Sequence, residues 1–172
     1  MKKALLVTLI LLSACTMHAA VPYEQQPIVI GYIGPFTGDA ASFGLVEQHV
    51  MDLLVEDLNN KGGIRGRPLK IIYEDGRCNA KHSVTSANKL IFVDEVKILS
   101  IICSESALAV SPLTEENHVL QYNAWTTHAD ITNAGDYVFR NSYSDADAAK
   151  IAVGLLEQHT KVGMLYEQAG YS

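Results

Sequence analysis

The chain is 172 residues long, 48% hydrophobic and 19% charged, with 19 acidic against 13 basic side chains and a formal net charge of −6. A net acidic chain is poorly suited to holding a phosphate backbone, which argues against nucleic acid as a partner. The length leaves room for one ordinary domain after any leader, and no internal repeat or low-complexity tract interrupts it.

The leader comes first. Lys2 and Lys3 precede an apolar run from Ala4 to Leu12, and Leu12-Ser13-Ala14-Cys15 closes it. This is the layout of a secretory signal, and the run falls short of the roughly 20 apolar residues that a membrane span needs. Leu-Ser-Ala-Cys also resembles a bacterial lipobox, which implies acylation of Cys15 and a lipid tether to the membrane surface. Cleavage at a later Ala-containing site, with no lipid, is the alternative. Residues 1–15 therefore read as a lipoprotein signal peptide with its lipobox cysteine, 16–27 as a linker, and 28–172 as the folded unit. Loss of the leader, which carries two lysines and no acid, takes the net charge from −6 to about −8.

Beyond the linker, apolar runs alternate with amphipathic ones. Residues 28–34, IVIGYIG, are a β-branched run ahead of Pro35 and Gly38, as expected of a buried strand and its loop. From Phe43 to Lys61, Val46, Val50, Leu53, Leu54 and Leu58 recur at helical spacing, and Gly62-Gly63 stops that helix. PLKIIYED (68–75) is a second strand, Asn79 can cap a helix bearing Val84, Ala87, Leu90 and Ile91, and VKILSIIC (96–103) is a third strand. A helix over 105–117, strands in HVLQYN and YVFRN, a helix with Ile151, Ala152, Leu155 and Leu156 on one face, and a last strand KVGMLY (161–166) complete the pattern.

Strands alternating with helices of this length predict an α/β fold, a three-layer, doubly wound parallel sheet covered on both faces. Ligands of such sheets bind beyond the carboxyl ends of the strands. The loops to watch are GPFTGDAASFG, CSES and NAWTTHADIT. GYIGPFTG is not a nucleotide fingerprint, because Pro35 follows where a tight helix start is needed.

Export places Cys78 and Cys103 in an oxidising compartment, where an even number of thiols pairs by default; two buried free thiols are the alternative. A nucleophilic Cys103 would need a neighbouring imidazole, and none of the six histidines stands in a recognisable cysteine-hydrolase context. Neither cysteine has a close Cys or His at zinc-ligand spacing.

IGYIGPFTGDAASFG, LNNKGGIRGRPLKIIYED, Cys78 with IICSES, and TTHADIT follow one another over residues 28–172 in an order that resembles the N-terminal lobe of the leucine-type periplasmic binding proteins. These are the type I solute-binding subunits of branched-chain amino acid ABC transporters. The Gly-Gly-Ile-Arg-Gly-Arg-Pro turn is the most specific piece, and the cysteine pair is placed as in the leucine-binding members. The resemblance implies a small solute, an amino acid or amide, and an ABC permease in the membrane as partner. It implies a place in the periplasm or cell envelope, with no cofactor, no metal and no catalysis.

Carried over residue by residue, the likeness implies that the Ser104 hydroxyl, with the Thr127 hydroxyl and N–H, binds the solute carboxylate. The Trp125 carbonyl would accept from the ammonium, Phe43 would lie against the solute, and Tyr171 would introduce the crossover region. Each residue has a plainer role open to it: Ser104 as an N-cap, Thr127 as a turn residue, Phe43 as core filler. Glu105 and Trp125 stand where the family has small residues. A carboxylate there would repel an anion, and an indole would narrow the pocket or offer a stacking wall, so amide, cationic and aromatic solutes stay open beside branched-chain ones. The second lobe is absent from these residues, so the lobe's own affinity is expected to be weak. A ligand sensor of the same fold is the alternative function, and a cysteine hydrolase a remoter one.

Overall fold

A computed structural model describes residues 26–165. Five strands form one parallel sheet in the order β2-β1-β3-β4-β5: β1 Ile28–Gly34, β2 Leu69–Asp75, β3 Ile98–Ile101, β4 Leu120–Asn123 and β5 Val138–Arg140. The helices are α1 Ala41–Asn60, α2 Ala80–Phe92, α3 Ser104–Glu116 and α4 Asp145–Leu156, with a 3-10 helix at Ala129–Asn133 before β5. Parallel neighbours need crossover helices, and α1, α2 and α3 supply them.

The turn after α1 needs its glycines. Gly62 and Gly63 have φ of 99° and 71°, and a Cβ on Gly63 would lie 2.1 Å from the Arg67 carbonyl oxygen. Only glycine lets the chain turn tightly enough there for Ile64 and Arg67 to bridge. Arg67 then reaches back, its Nε donating to the Gln26 carbonyl at 2.8 Å, and so ties down the residues just before β1.

The two faces of the sheet differ. Ile33, Leu99 and Ile101 point to the side of α2 and α3, where they join Ala87, Leu90, Ile91, Ala107 and Val110 in the core. On that same side Gln121 is fully buried, donating to the Ala107 carbonyl at 2.9 Å and to Asn123 Oδ1 at 3.0 Å while accepting from Thr114 Oγ1. Buried amides persist when every bond is made, and this network ties α3 to β4.

The other face carries Tyr32, Ser100 and Tyr122 in one row across the sheet. There α1 is held by phenols: Tyr32 donates to Glu47, and Tyr73 to Asp52 at 2.8 Å. Burial, reinforced by the neighbouring carboxylate in each case, pushes both phenols above the ordinary tyrosine range.

Two expectations fail. The apolar stripe of α1 at Val46, Val50, Leu53 and Leu54 stays exposed, and α4 buries no residue, leaving Ile151 and Leu155 in solvent. Helical spacing marks a face that can be buried; Val46 and Val50 only line a hollow against the sheet, and α4 has no buried residue at all. KVGMLY is the second failure, since residues 161–165 form no strand. Alternating apolar residues become a strand only at a sheet edge, and the unpacked α4 does not return the chain to one.

Candidate functional site

A sheet ordered 2-1-3-4-5 reverses its winding between β1 and β3, and the loops there part to leave a crevice at the carboxyl ends of the strands. The loop after β3 is short, running through Ile102 and Cys103 straight into α3. Ser104 is therefore the first residue of α3, and Cys103, not Ser104, is its N-cap, with no side-chain cap hydrogen bond. The Ser104 side chain is buried and its Oγ accepts from the His128 N–H at 3.4 Å. That bond brings the loop after β4, with Trp125 and Thr127, against the start of α3.

Cys78 and Cys103 are joined by a disulfide, their Cα atoms 5.2 Å apart. The bridge links two helix N-termini that are finished in opposite ways. At α2, Asn79 Oδ1 accepts from the Lys81 and His82 N–H groups, the Ser83 N–H bonds the Asn79 carbonyl, and Glu105 Oε1 accepts from the Ala80 N–H at 3.1 Å. Every first-turn donor of α2 is thus used. At α3, the N–H groups of Ser104, Glu105 and Ser106 precede the first intrahelical bond, from Ala107 to the Cys103 carbonyl, and a helix start finished this way suits an anion. Glu105, expected to oppose an anion, turns its carboxylate to the neighbouring helix instead.

Thr127 is half-buried, and its hydroxyl donates to Asp145 Oδ2 at 2.9 Å at the head of α4. Arg140 sets the same loop from below, its guanidinium donating to the His128 carbonyl at 3.0 Å and to the Thr132 hydroxyl. Trp125 has φ of +59°, rare for a bulky residue, and its side chain is 77% exposed. It borders a hollow of about 320 Å³ between α1 and the sheet, lined also by Tyr32, Val46, Val50, Met51 and Tyr122. Phe43 projects into solvent from the first turn of α1, 73% exposed, so it fills no core. Tyr171 and Cys15 lie outside the described residues.

Asp75 ends β2 on the far side of β1. Its Oδ1 accepts from the N–H groups of Phe36 at 2.9 Å and Arg77 at 3.1 Å, and Oδ2 from the Thr37 hydroxyl. Burial pushes this carboxyl up, but the Thr37 hydroxyl and the N–H groups of Phe36, Arg77 and Thr37 together outweigh it, so its pKa lies below the usual carboxylate range. Asp75, Arg140 and Asp145 are the site-shaping residues that sequence reasoning missed. Only Asp75 carried a signal, standing directly before a Gly at a strand end.

Among the described residues no cluster of His, Cys, Asp or Glu could hold a metal ion, and no helix is long and apolar enough to cross a membrane. The family description "Periplasmic binding protein" matches residues 27–172. The chain belongs to the periplasmic binding protein family. Within it the chain is 28% identical over 160 residues to the Leu/Ile/Val-binding protein of Escherichia coli (strain K12), a match covering 92% of this chain and 42% of that protein.

Among solved structures, a solute binding protein of an ABC transporter from Rhodopseudomonas palustris HaA2, in complex with p-hydroxybenzoic acid, superposes with a TM-score of 0.65 at 25% identity. It covers 77% of this chain, which spans 36% of that one. A possible leucine/isoleucine/valine-binding protein from Rhodopirellula baltica SH 1 shares the fold, with a TM-score of 0.70 at 19% identity over 81% of this chain and 38% of its own. The chain thus spans less than half the length of these family members. Its family and neighbours are solute-binding proteins rather than enzymes.

Proposed function

We propose that this chain is the first lobe of a solute-binding protein of an ABC transporter, capturing a small carboxylate at the rim of its sheet for delivery to a membrane permease. The observation that carries this reading is the meeting of Ser104, at the uncapped start of α3, with the loop after β4 through the His128 N–H. Backbone donors at a helix start, with the positive end of its dipole, bind a carboxylate without any charged side chain. In this reading Ser104 and the first turn of α3 hold the carboxylate, Thr127 borders it, and the Trp125 carbonyl takes an ammonium where the solute has one. Since the Thr127 hydroxyl proton is committed to Asp145, a solute competes with Asp145 for it.

Trp125 and the exposed Phe43 offer flat apolar surface near the rim, which favours a solute with an aromatic or large apolar body. Relatives named for branched-chain amino acids and neighbours with hydroxybenzoates bracket that choice. Attachment to the membrane surface through a lipid on Cys15, in the periplasm or cell envelope, and a contact from Tyr171 belong to the same reading.

The test is an amide-resolved NMR titration of the chain with leucine and, separately, with 4-hydroxybenzoate. Binding weak enough for fast exchange is expected, with shifts concentrated at residues 104–106 and 125–128 and lost in Ser104→Ala. A solute that binds while leaving those amides unmoved refutes the assignment.

A further inference from the structure

Glu105 is the one acidic residue in the first turn of α3, one position beyond Ser104, where a free carboxylate would oppose the anion that the helix start attracts. Its Oε1 accepts instead from the Ala80 N–H, the single first-turn donor of α2 that Asn79 does not reach. The contact is one of three that join the first turn of α3 to the start of α2. Cys103 is bonded to Cys78, Glu105 takes the Ala80 N–H, and Ser106 Oγ accepts from Ser83 Oγ at 2.7 Å in the buried layer. Ser104 lies between these anchors and faces the other way, toward His128.

We propose that Glu105 is a positioning residue for the solute site: by capping α2 it withdraws its own charge from the start of α3 and fixes the orientation from which Ser104 meets His128. This rests on the reading of the α3 start as the solute site. A carboxylate spent on a neighbouring helix cannot select cationic solutes, so the position loses nothing for anions by departing from a small residue. A glutamine would keep the acceptor oxygen and the geometry, while an alanine would release both.

Hydrogen exchange of the oxidised chain, followed amide by amide, tests this without any solute. In Glu105→Ala, exchange at the Ala80 N–H and at the His128 N–H is expected to rise about tenfold, the loss of one hydrogen bond to a charged acceptor, and Glu105→Gln is expected to restore both. A rise at Ala80 with His128 unmoved makes Glu105 a local cap and overturns the proposal. Equal effects of alanine and glutamine also overturn it, because they show that the charge and not the acceptor matters. Titration of the same variants with leucine and 4-hydroxybenzoate should show weaker response at residues 104–106 in the alanine variant alone. If neither solute moves those amides in the unaltered chain, the binding reading fails, while the exchange at His128 still decides what Glu105 holds in place.

Discussion

The Asp75 carboxylate gathers the loop after β1 and the loop after β2 onto one side chain, through the Phe36, Thr37 and Arg77 N–H groups and the Thr37 hydroxyl. Such bonds to an ionised acceptor stabilise more than neutral ones, and Asp75→Ala is expected to cost about 2 kcal/mol at neutral pH in urea unfolding. Because the folded-state pKa is depressed, the unfolded chain takes up the proton first as the pH falls. The contribution is therefore complete above the ordinary carboxylate pKa of about 4 and is lost as the pH drops below it through the folded value. Unfolding measured from pH 7 to pH 2 should show the variant with a shallower acid limb than the unaltered chain; parallel limbs would count against the hydrogen-bond account. Neighbouring residues were legible unequally. Asn79 as a cap could be read from its place before an amphipathic run, whereas the partners of Glu105, Thr127 and Arg140 lie 25, 18 and 12 positions away, and no local pattern encodes which of several loops a polar side chain will meet.

Between elements, the disulfide and the buried hydroxyl pair Ser83–Ser106 fasten α2 to α3 at the end nearest the site, while the Gln121 network fastens α3 to β4. The bridge closes a separation of 25 residues. Closing a loop of that length restricts the unfolded chain, so reduction is expected to lower stability by roughly 3 kcal/mol. Denaturant unfolding with and without reductant measures it, and the first amides to lose exchange protection after reduction should be those of residues 78–83 and 103–107. Strands β1 to β5 and the four helices were all readable, the long elements from their period and the short strands β3 to β5 as apolar runs between helical stretches. KVGMLY misled for a physical reason: alternation reports what a segment could bury, and the strand exists only if an edge is within reach.

At the scale of the whole molecule, the described residues pack the sheet closely on one face and leave a hollow between α1 and the sheet on the other. The core lies with α2 and α3, whereas Val46, Val50, Leu53 and Leu54 of α1 remain in solvent together with much of α4. Contiguous apolar surface of this kind binds apolar probes and promotes self-association. The double substitution Val50→Ser, Leu53→Ser is expected to reduce binding of a hydrophobic fluorescent dye severalfold while changing stability by less than about 0.5 kcal/mol, since neither side chain is in the core. A large loss of stability would mean that the stripe is buried in solution.

Read without coordinates, the residues already determined an α/β wound sheet, the order of its elements, the likeness to solute-binding lobes and the loops in which a site would lie, because strand and helix periodicity, glycine stops and caps act within a few residues. Only the tertiary structure decided that Ser104 meets the loop after β4, that Glu105 turns to α2, that the Thr127 hydroxyl is engaged by Asp145, and that the apolar stripe of α1 stays exposed. Those outcomes depend on which distant segments the crossovers bring together, and burial and pairing are properties of that return path rather than of any stretch of chain taken alone.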